Sequence, residues 1–498
     1  MIIKEITMRN KIYAIFFGLI LTSAGACKRE LLNPVPETSV SDVTAFDTPD
    51  RVLSQVNGLY AQLKGGKFYG GRYVVYNDVR GEDFTNVTNN NITAADLWSF
   101  SINGSSATIM DTWARAYSTI NQCNLFLEGM AETGTAVVGE AKAKNYLAEA
   151  KFIRGLSYYS LLQLFAKPYW DGNGSQPGLP LRLTGIKGPG SSDLVRSTVA
   201  EVYAQVIADL NSAETDLPLT YPTGATQAFT NTTRAHRNTA IALKTRVYLS
   251  MRKYAEVITE ANKIVPATAP FKAATGIAHE LQADITNVFK TPYTTSESIM
   301  SMPFTTDSRD VSGTQNQLGT YFYNNGSVGS AEFMLAVDGI ITDAGWKTTD
   351  KRRSFVYTNA TTSRKYLSKY TQPSPYTDYV PVIRYAEVLL NLAEAKVRTT
   401  NTVDAQAIAL LNAVRGRSDA TTVFTAGDFA TSTALINAIL KERRIELIGE
   451  GIRNLDIMRL GLNLPARPGK AETKPGESGY ILPISNNELI FNTLMTDN

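Results

Sequence analysis

Cysteine is close to absent from this chain: among its 498 residues only Cys27 and Cys123 occur. A disulfide framework is therefore excluded, and stability has to come from buried apolar surface, which a chain of this length has in plenty. Histidine is as scarce, with His236 and His279 the whole complement. There is no HExxH helix and no cysteine pair for zinc. Phosphate-cradling and nucleophile-elbow motifs are missing too, and "GPGSSD" at 188–193 reads as a loop. Charge of one sign is lacking as well. The formal net charge is +3, and residues 1–26 hold Lys4, Arg9 and Lys11 against Glu5, so the remainder carries 3 − 2 = +1. A nearly neutral body has no electrostatic reason to seek nucleic acid. Finally, no apolar run reaches the roughly 20 residues that a spanning helix needs.

The greasiest stretch, "IYAIFFGLILT" at 12–22, follows basic residues and ends in the small residues Ser23, Ala24, Gly25 and Ala26. Basic start, short apolar middle and small-residue end describe an export signal over residues 1–26. Small residues directly before Cys27 resemble the lipobox of bacterial lipoproteins, with Ala24 where leucine is commonest. In that pattern the signal is cut before the cysteine and its thiol receives a diacylglycerol. Cys27 is thus expected to be a lipid anchor, holding the mature chain 27–498 on a membrane that it does not cross. "KRELLNPVPETSVSD" after it reads as an extended tether.

Helical periodicity dominates the mature chain. In "NYLAEAKFIRGLSYYSLLQLFAKP", Leu147, Ala150, Ile153, Ser157, Leu161 and Leu164 form one stripe that Pro168 closes. Val199, Val202, Val206 and Leu210 line another helix, closed by Pro218. "TAIALKTRVYLSMRKYAEVITEANKIVP" reads as two helices joined tightly near Arg252, with Tyr248 and Tyr254 spaced as in a tetratricopeptide hairpin. From about 266 to 380 periodicity fades into Gly, Ser, Thr, Asn and Tyr, the composition of long loops with a few short strands. Helices return in "VIRYAEVLLNLAEAKVR" and "TALINAILKERRIELIGEGIRNLDIMRLG". The expected fold is mainly α, with one large irregular insertion.

Five stretches in order carry a resemblance to the SusD/RagB family of Bacteroidetes surface lipoproteins. They are "EAKFIRGLSYYSLLQLF", "ALKTRVYLSMRKYAEVITEANKIV", "VIRYAEVLLNLAEAK", "ERRIELIGEGIRNLDIMRLG" and "YILPISNNELIFN". "FAKPYW" departs from the family's usual turn after the first helix, and the usual Asn-Pro-Gly ending is missing. The resemblance implies a SusD-like fold of tetratricopeptide-like helix pairs with irregular loops. It implies one domain over 27–498, with an N-terminal part at about 33–220 and a C-terminal part at about 280–498. It further implies a non-enzymatic, lipid-anchored protein on the outer-membrane surface. Such a protein caps a SusC-type TonB-dependent transporter and loads a glycan, sometimes a peptide, without a cofactor. The competing class is a surface scaffold that binds another protein and no small ligand.

The charged motifs read as structural. Arg384, Glu387, Asn391 and Glu394 make one polar helix stripe, and two carboxyls about 10 Å apart along one face cannot flank a glycosidic bond. Glu450, Arg453, Asp456 and Arg459 recur at i+3 with alternating sign, a ladder of helix pairs. Cys123 and Trp113 read as core. A glycan site wants aromatic faces beside amides and carboxylates. Residues 66–100 supply Tyr69, Tyr73 and Trp98 around an asparagine run; 305–350 supply Tyr321, Tyr323, Asn324, Asn325 and Trp346. The family likeness implies that a ligand site draws on these two areas.

Overall fold

The computed structural model describes residues 44–188, 190, 193–325 and 331–498; Cys27 and the signal segment lie outside them. The first helix described is α1 (Pro49–Leu63), whose N-cap Thr48 accepts from the Arg51 N–H, followed by the buried α2 (Arg72–Val79). Two long helices, α3 (Ala107–Gly129) and α4 (Glu140–Phe165), pack on each other, and α4 packs in turn on α5 (Val199–Asp216). The expected stripe on α4 is buried on nearly all sides from Ala148 onward, which is why Ser157 and Ser160 turn their hydroxyls back to main-chain carbonyls. A capping box of Thr198 and Glu201 opens α5.

The expected hairpin is α6 (Arg237–Ser250) and α7 (Tyr254–Ala261), reversed at Arg252 with φ of +58°. The C-terminal helices are α8 (Tyr385–Thr400), α9 (Ala405–Ser418), α10 (Ser432–Glu446), α11 (Arg453–Leu460) and the short α12 (Asn486–Phe491). The insertion contributes short strands in two-stranded pairs. Antiparallel pairs are β1 (Phe84–Asn86) with β3 (Phe333–Leu335), β2 (Ser298–Met302) with β6 (Val380–Arg384), and β4 (Val356–Thr358) with β5 (Lys365–Leu367).

Two charge readings are settled by these elements. The α8 stripe does hold neighbours: Glu387 accepts two bonds from Arg246 at 2.7 and 2.6 Å, Asn391 accepts from Arg443, and Glu394 accepts from Arg459 and Arg398. Arg384, however, ends strand β6 instead of sitting within the helix. The i+3 ladder fails in part. Gly449 and Gly451 adopt φ of +80° and +76°, which breaks the helix between α10 and α11 and takes Glu450 off the row. Glu450 turns to Arg384 and Lys369, Arg453 turns to Glu82, and only Asp456–Arg459 pairs at i+3.

Between β6, α9 and α10 lies a buried ionic cluster in which Arg352, Lys369, Arg384, Arg415 and Arg417 meet Glu297, Asp350, Glu442, Glu446 and Glu450. Equal numbers of each sign make burial tolerable, because every charge has its counter-charge within hydrogen-bond reach.

Candidate functional site

The two loop areas singled out by composition meet at the β1–β3 ladder, where Phe84 pairs with Leu335 and Asn86 with Phe333. Asp83 fixes the join: its carboxylate accepts from the Ile340 N–H at 2.7 Å and from Arg444 at 2.7 and 2.6 Å. The ladder continues past β1, with the Val87 N–H and the Asn86 side chain both donating to the Glu332 carbonyl. The Glu332 carboxylate accepts from Thr93 at 2.8 Å and from Thr88. The asparagine run is folded by its own side chains: Asn86 accepts from the Asn89 N–H and Asn90 from the Ile92 N–H. Asn89, Asn91 and Ile92 remain exposed.

Within the insertion, Tyr323 is partly exposed and meets Tyr357 of β4 edge-on, ring centres 5.4 Å apart at 65°. Asn359 donates to the Asn324 carbonyl at 3.2 Å, tying the β4–β5 hairpin to the segment that carries Tyr323. Partial burial and the neighbouring Tyr357 raise the pKa of Tyr323, so its hydroxyl stays neutral and both donates and accepts. A partly exposed ring pair with Asn324 next to it forms a surface suited to a polyhydroxyl ligand.

Other expected site residues are elsewhere in the architecture. Tyr69 and Tyr73 are buried, rings 4.8 Å apart, with the Tyr69 hydroxyl bonded to Ser160 at 2.9 Å. Burial pushes the Tyr69 phenol up to about 12. Tyr321 is buried and stacks on Phe333, and Trp346 is buried beneath the Arg353 guanidinium, 4.3 Å from its ring centre. The expectation that these four are exposed loop aromatics is corrected: Tyr69 and Tyr73 pack with Phe68 and against α4, while Tyr321 and Trp346 brace the insertion from inside. Trp98 is partly buried. Its indole N–H donates to the Phe84 carbonyl at 2.8 Å, and Arg467 sits over its ring at 4.8 Å. It supports β1 from behind. Of the named residues, Trp98, Tyr323 and Asn324 are partly exposed and Asn325 is exposed.

Two half-exposed aromatics escaped the sequence reading. Tyr357 was hidden in a strand too short to announce itself. Trp170, within "FAKPYW", donates to the Met458 carbonyl at 2.9 Å and lies under Arg252. It borders a cleft of about 450 Å³ with Asp171, Glu477 and Tyr480.

The carboxylates of the charged motifs are committed to arginines. Burial raises the pKa of Glu387, but Arg246 outweighs it and the net shift is downward. Glu394 is likewise pushed up by burial and brought down to about 2, chiefly by Arg459. Neither is left to carry a proton at neutral pH as a general acid would. Cys123 is buried, with its thiol raised by desolvation, as a core residue would be. Trp113 is also core, packed edge-on against Phe165 at 5.1 Å. Among the described residues no three His, Cys, Asp or Glu side chains are grouped to hold a metal.

Helix pairs carrying a braced irregular insertion, with the motif carboxylates tied up by arginines, make a mainly helical scaffold with short strands in small sheets. Residues 33–249 match the family model described as starch-binding associating with outer membrane, and residues 342–498 match that of the SusD family. A SusD superfamily protein from Bacteroides fragilis, solved as a crystal structure, is 32% identical, covers 91% of this chain and 99% of its own, and superposes with a TM-score of 0.79. SusD-like protein P2 of Formosa agariphila is 25% identical across 98% of this chain and 99% of its own. The surface glycan-binding protein A of Bacteroides uniformis shares the fold, with a TM-score of 0.71, 20% identity, and coverage of 91% of this chain and 99% of its own. The chain belongs to the SusD/RagB family. No helix among the described residues is long and apolar enough to cross a membrane.

Proposed function

We propose that this protein is an outer-membrane surface lipoprotein, anchored through Cys27, that captures a glycan and passes it to a SusC-type TonB-dependent transporter. The observation that carries the reading is the partly exposed Tyr323–Tyr357 pair, with Asn324 next to it held by Asn359, because it sets ring faces next to an amide. The family's description as starch-binding and outer-membrane-associated supports it, as does the fold shared with a surface glycan-binding protein of Bacteroides uniformis. Binding without catalysis fits carboxylates already paired with arginine. A partner protein is supported by a separate feature. Val195, Ile490, Phe491 and Leu494 are 58%, 66%, 72% and 52% exposed, and Leu194 and Asp193 are hydrogen-bonded to Asn492 and Thr493 beside them. Exposed apolar groups gathered this way suit a protein contact. Calorimetric titration of the protein against a panel of neutral polysaccharides, acidic polysaccharides and peptides tests the ligand class. A saturable response to one glycan supports the proposal, and a response to none contradicts it.

A further inference from the structure

Asp378, just before β6, is a buried carboxyl that forms no ion pair. It is 6% exposed and closes the loop 371–378. Its oxygens accept the Gln372 N–H at 2.9 Å and the Tyr293 hydroxyl at 3.2 Å, with the Thr371 N–H also turned toward them. No lysine, arginine or histidine among the described residues reaches it, because the cations of the neighbouring elements are engaged elsewhere. Lys369 and Arg384 hold Glu450, Lys64 holds Asp310 near Tyr379, and Lys290 donates to Thr286. The titratable groups around Asp378 are phenols. Tyr293 stacks on Tyr379 at 4.7 Å, Tyr370 gives its hydroxyl to the Gly449 carbonyl, and Tyr376 lines the same small gap. Tyr321, on the helix above, turns to Phe333 instead. An ionised Asp378 therefore has neutral donors and no counter-charge, unlike the arginine-gripped Glu387.

The carboxyl is packed under the short helix Leu318–Phe322. Gly319 meets the loop closely: a Cβ there would stand 3.2 Å from the Tyr370 carbonyl oxygen, 3.6 Å from the Tyr376 ring and 3.9 Å from Asp378 Oδ2. The Gly319 carbonyl in turn accepts the Tyr323 N–H at 3.0 Å. Loop, carboxyl, helix and Tyr323 thus form one packed series. A charge on the carboxyl is relieved by drawing in water, and the close approach at Gly319 leaves no room for it unless the series loosens. Burial holds the Asp378 pKa up at about 6. Because that lies above the ordinary 3.8, the closed packing is fully favoured below pH ~4 and loses this support as pH rises through about 6. Burial, and after it the Asp378 charge, raise the Tyr293 pKa, so that phenol keeps its proton throughout.

We propose that Asp378 is a proton-operated latch: its neutral carboxyl keeps the 371–378 loop closed on the helix Leu318–Phe322, and its ionisation loosens the loop and the Tyr323 main chain together. The bearing of the latch on glycan capture rests on the function proposed above; the latch itself does not, and its test needs no glycan. Hydrogen–deuterium exchange of the full chain is read by mass spectrometry over 318–325 and 371–379. It is compared at pH ~5 and pH ~7.5 after correction for the intrinsic pH dependence of exchange. Both segments should be about tenfold more protected at the lower pH, the linkage between a closed-state pKa of about 6 and an open-state value of 3.8. Peptides from α4 should show no such difference. Asp378→Asn, an isostere of the neutral acid, should keep the low-pH protection at both values. Tyr293→Phe, which removes a donor to the charged form, should move the transition to higher pH. Equal protection of the parent at the two pH values, or a pH difference that survives in Asp378→Asn, overturns the latch. A latch seen by exchange in a chain that binds no glycan would remove the glycan reading alone.

Discussion

Glu387 and Glu394 stand two turns apart on α8, and each is committed to a different neighbour. Arg246 of α6 grips the first and Arg459 of α11 the second, at 2.6–2.7 Å. The polar stripe is thus a set of bolts between helices, with each carboxylate dry and fully compensated. Removing one partner leaves a buried guanidinium unpaired, so Glu387→Ala is expected to cost about 3 to 5 kcal/mol, read as a lowered melting temperature by calorimetry. Glu394 gives a pH signature. Its folded pKa of about 2 lies below the ordinary carboxylate value, so its contribution is fully present above pH ~4.5 and is lost as pH falls towards 2. That contribution is on the order of 3 kcal/mol. Glu394→Gln should flatten the acid-side fall of stability over that window in denaturant titrations at stepped pH. His279, whose burial holds its pKa at about 4, adds a loss between pH ~6.5 and 4 that the variant leaves in place.

At the scale of elements, the long helices were legible from apolar spacing, and the α6–α7 turn from its two tyrosines. What spacing did not show was where a helix stops for a tertiary reason. "LIGEGIRN" continues the i+3 charge row, yet Gly451 breaks it because the chain must pass Val74 of α2 closely. A Cβ there would stand 2.9 Å from the Val74 Cα. That break redirects Glu450 into the ionic cluster. Gly451→Ala is expected to destabilise by about 2 to 3 kcal/mol through the left-handed backbone and the clash, measured by chemical denaturation. The aromatic residues of the insertion were misplaced for a related reason. Gly- and Asn-rich composition marks irregular chain but does not say which side chains turn inward. Tyr321 and Trp346 were drawn to the core by Phe333 and Arg353, partners supplied by neighbouring loop segments. Tyr323, two residues on from Tyr321, points the other way. The β1–β3 ladder that unites the two loop areas joins distant parts of the chain through three residues each, too few to carry a periodic signal.

At the scale of the whole molecule, a helical scaffold holds an irregular insertion, and the proposed anchor precedes both. Cys27→Ala is expected to abolish lipid attachment and shift the protein from the membrane fraction to the soluble one, followed by metabolic labelling with a fatty acid. Retained label in the variant would remove the anchor from the account. The central claim is that the insertion presents a glycan-binding surface centred on the Tyr323–Tyr357 pair. It is tested most directly by calorimetric titration of Tyr323→Ala with the glycan that the parent protein binds. The account predicts a loss of about 1 kcal/mol or more, roughly five- to tenfold in affinity, with an unchanged melting temperature because the ring is partly exposed. Undiminished affinity in Tyr323→Ala and in Tyr323→Ala/Tyr357→Ala would contradict it.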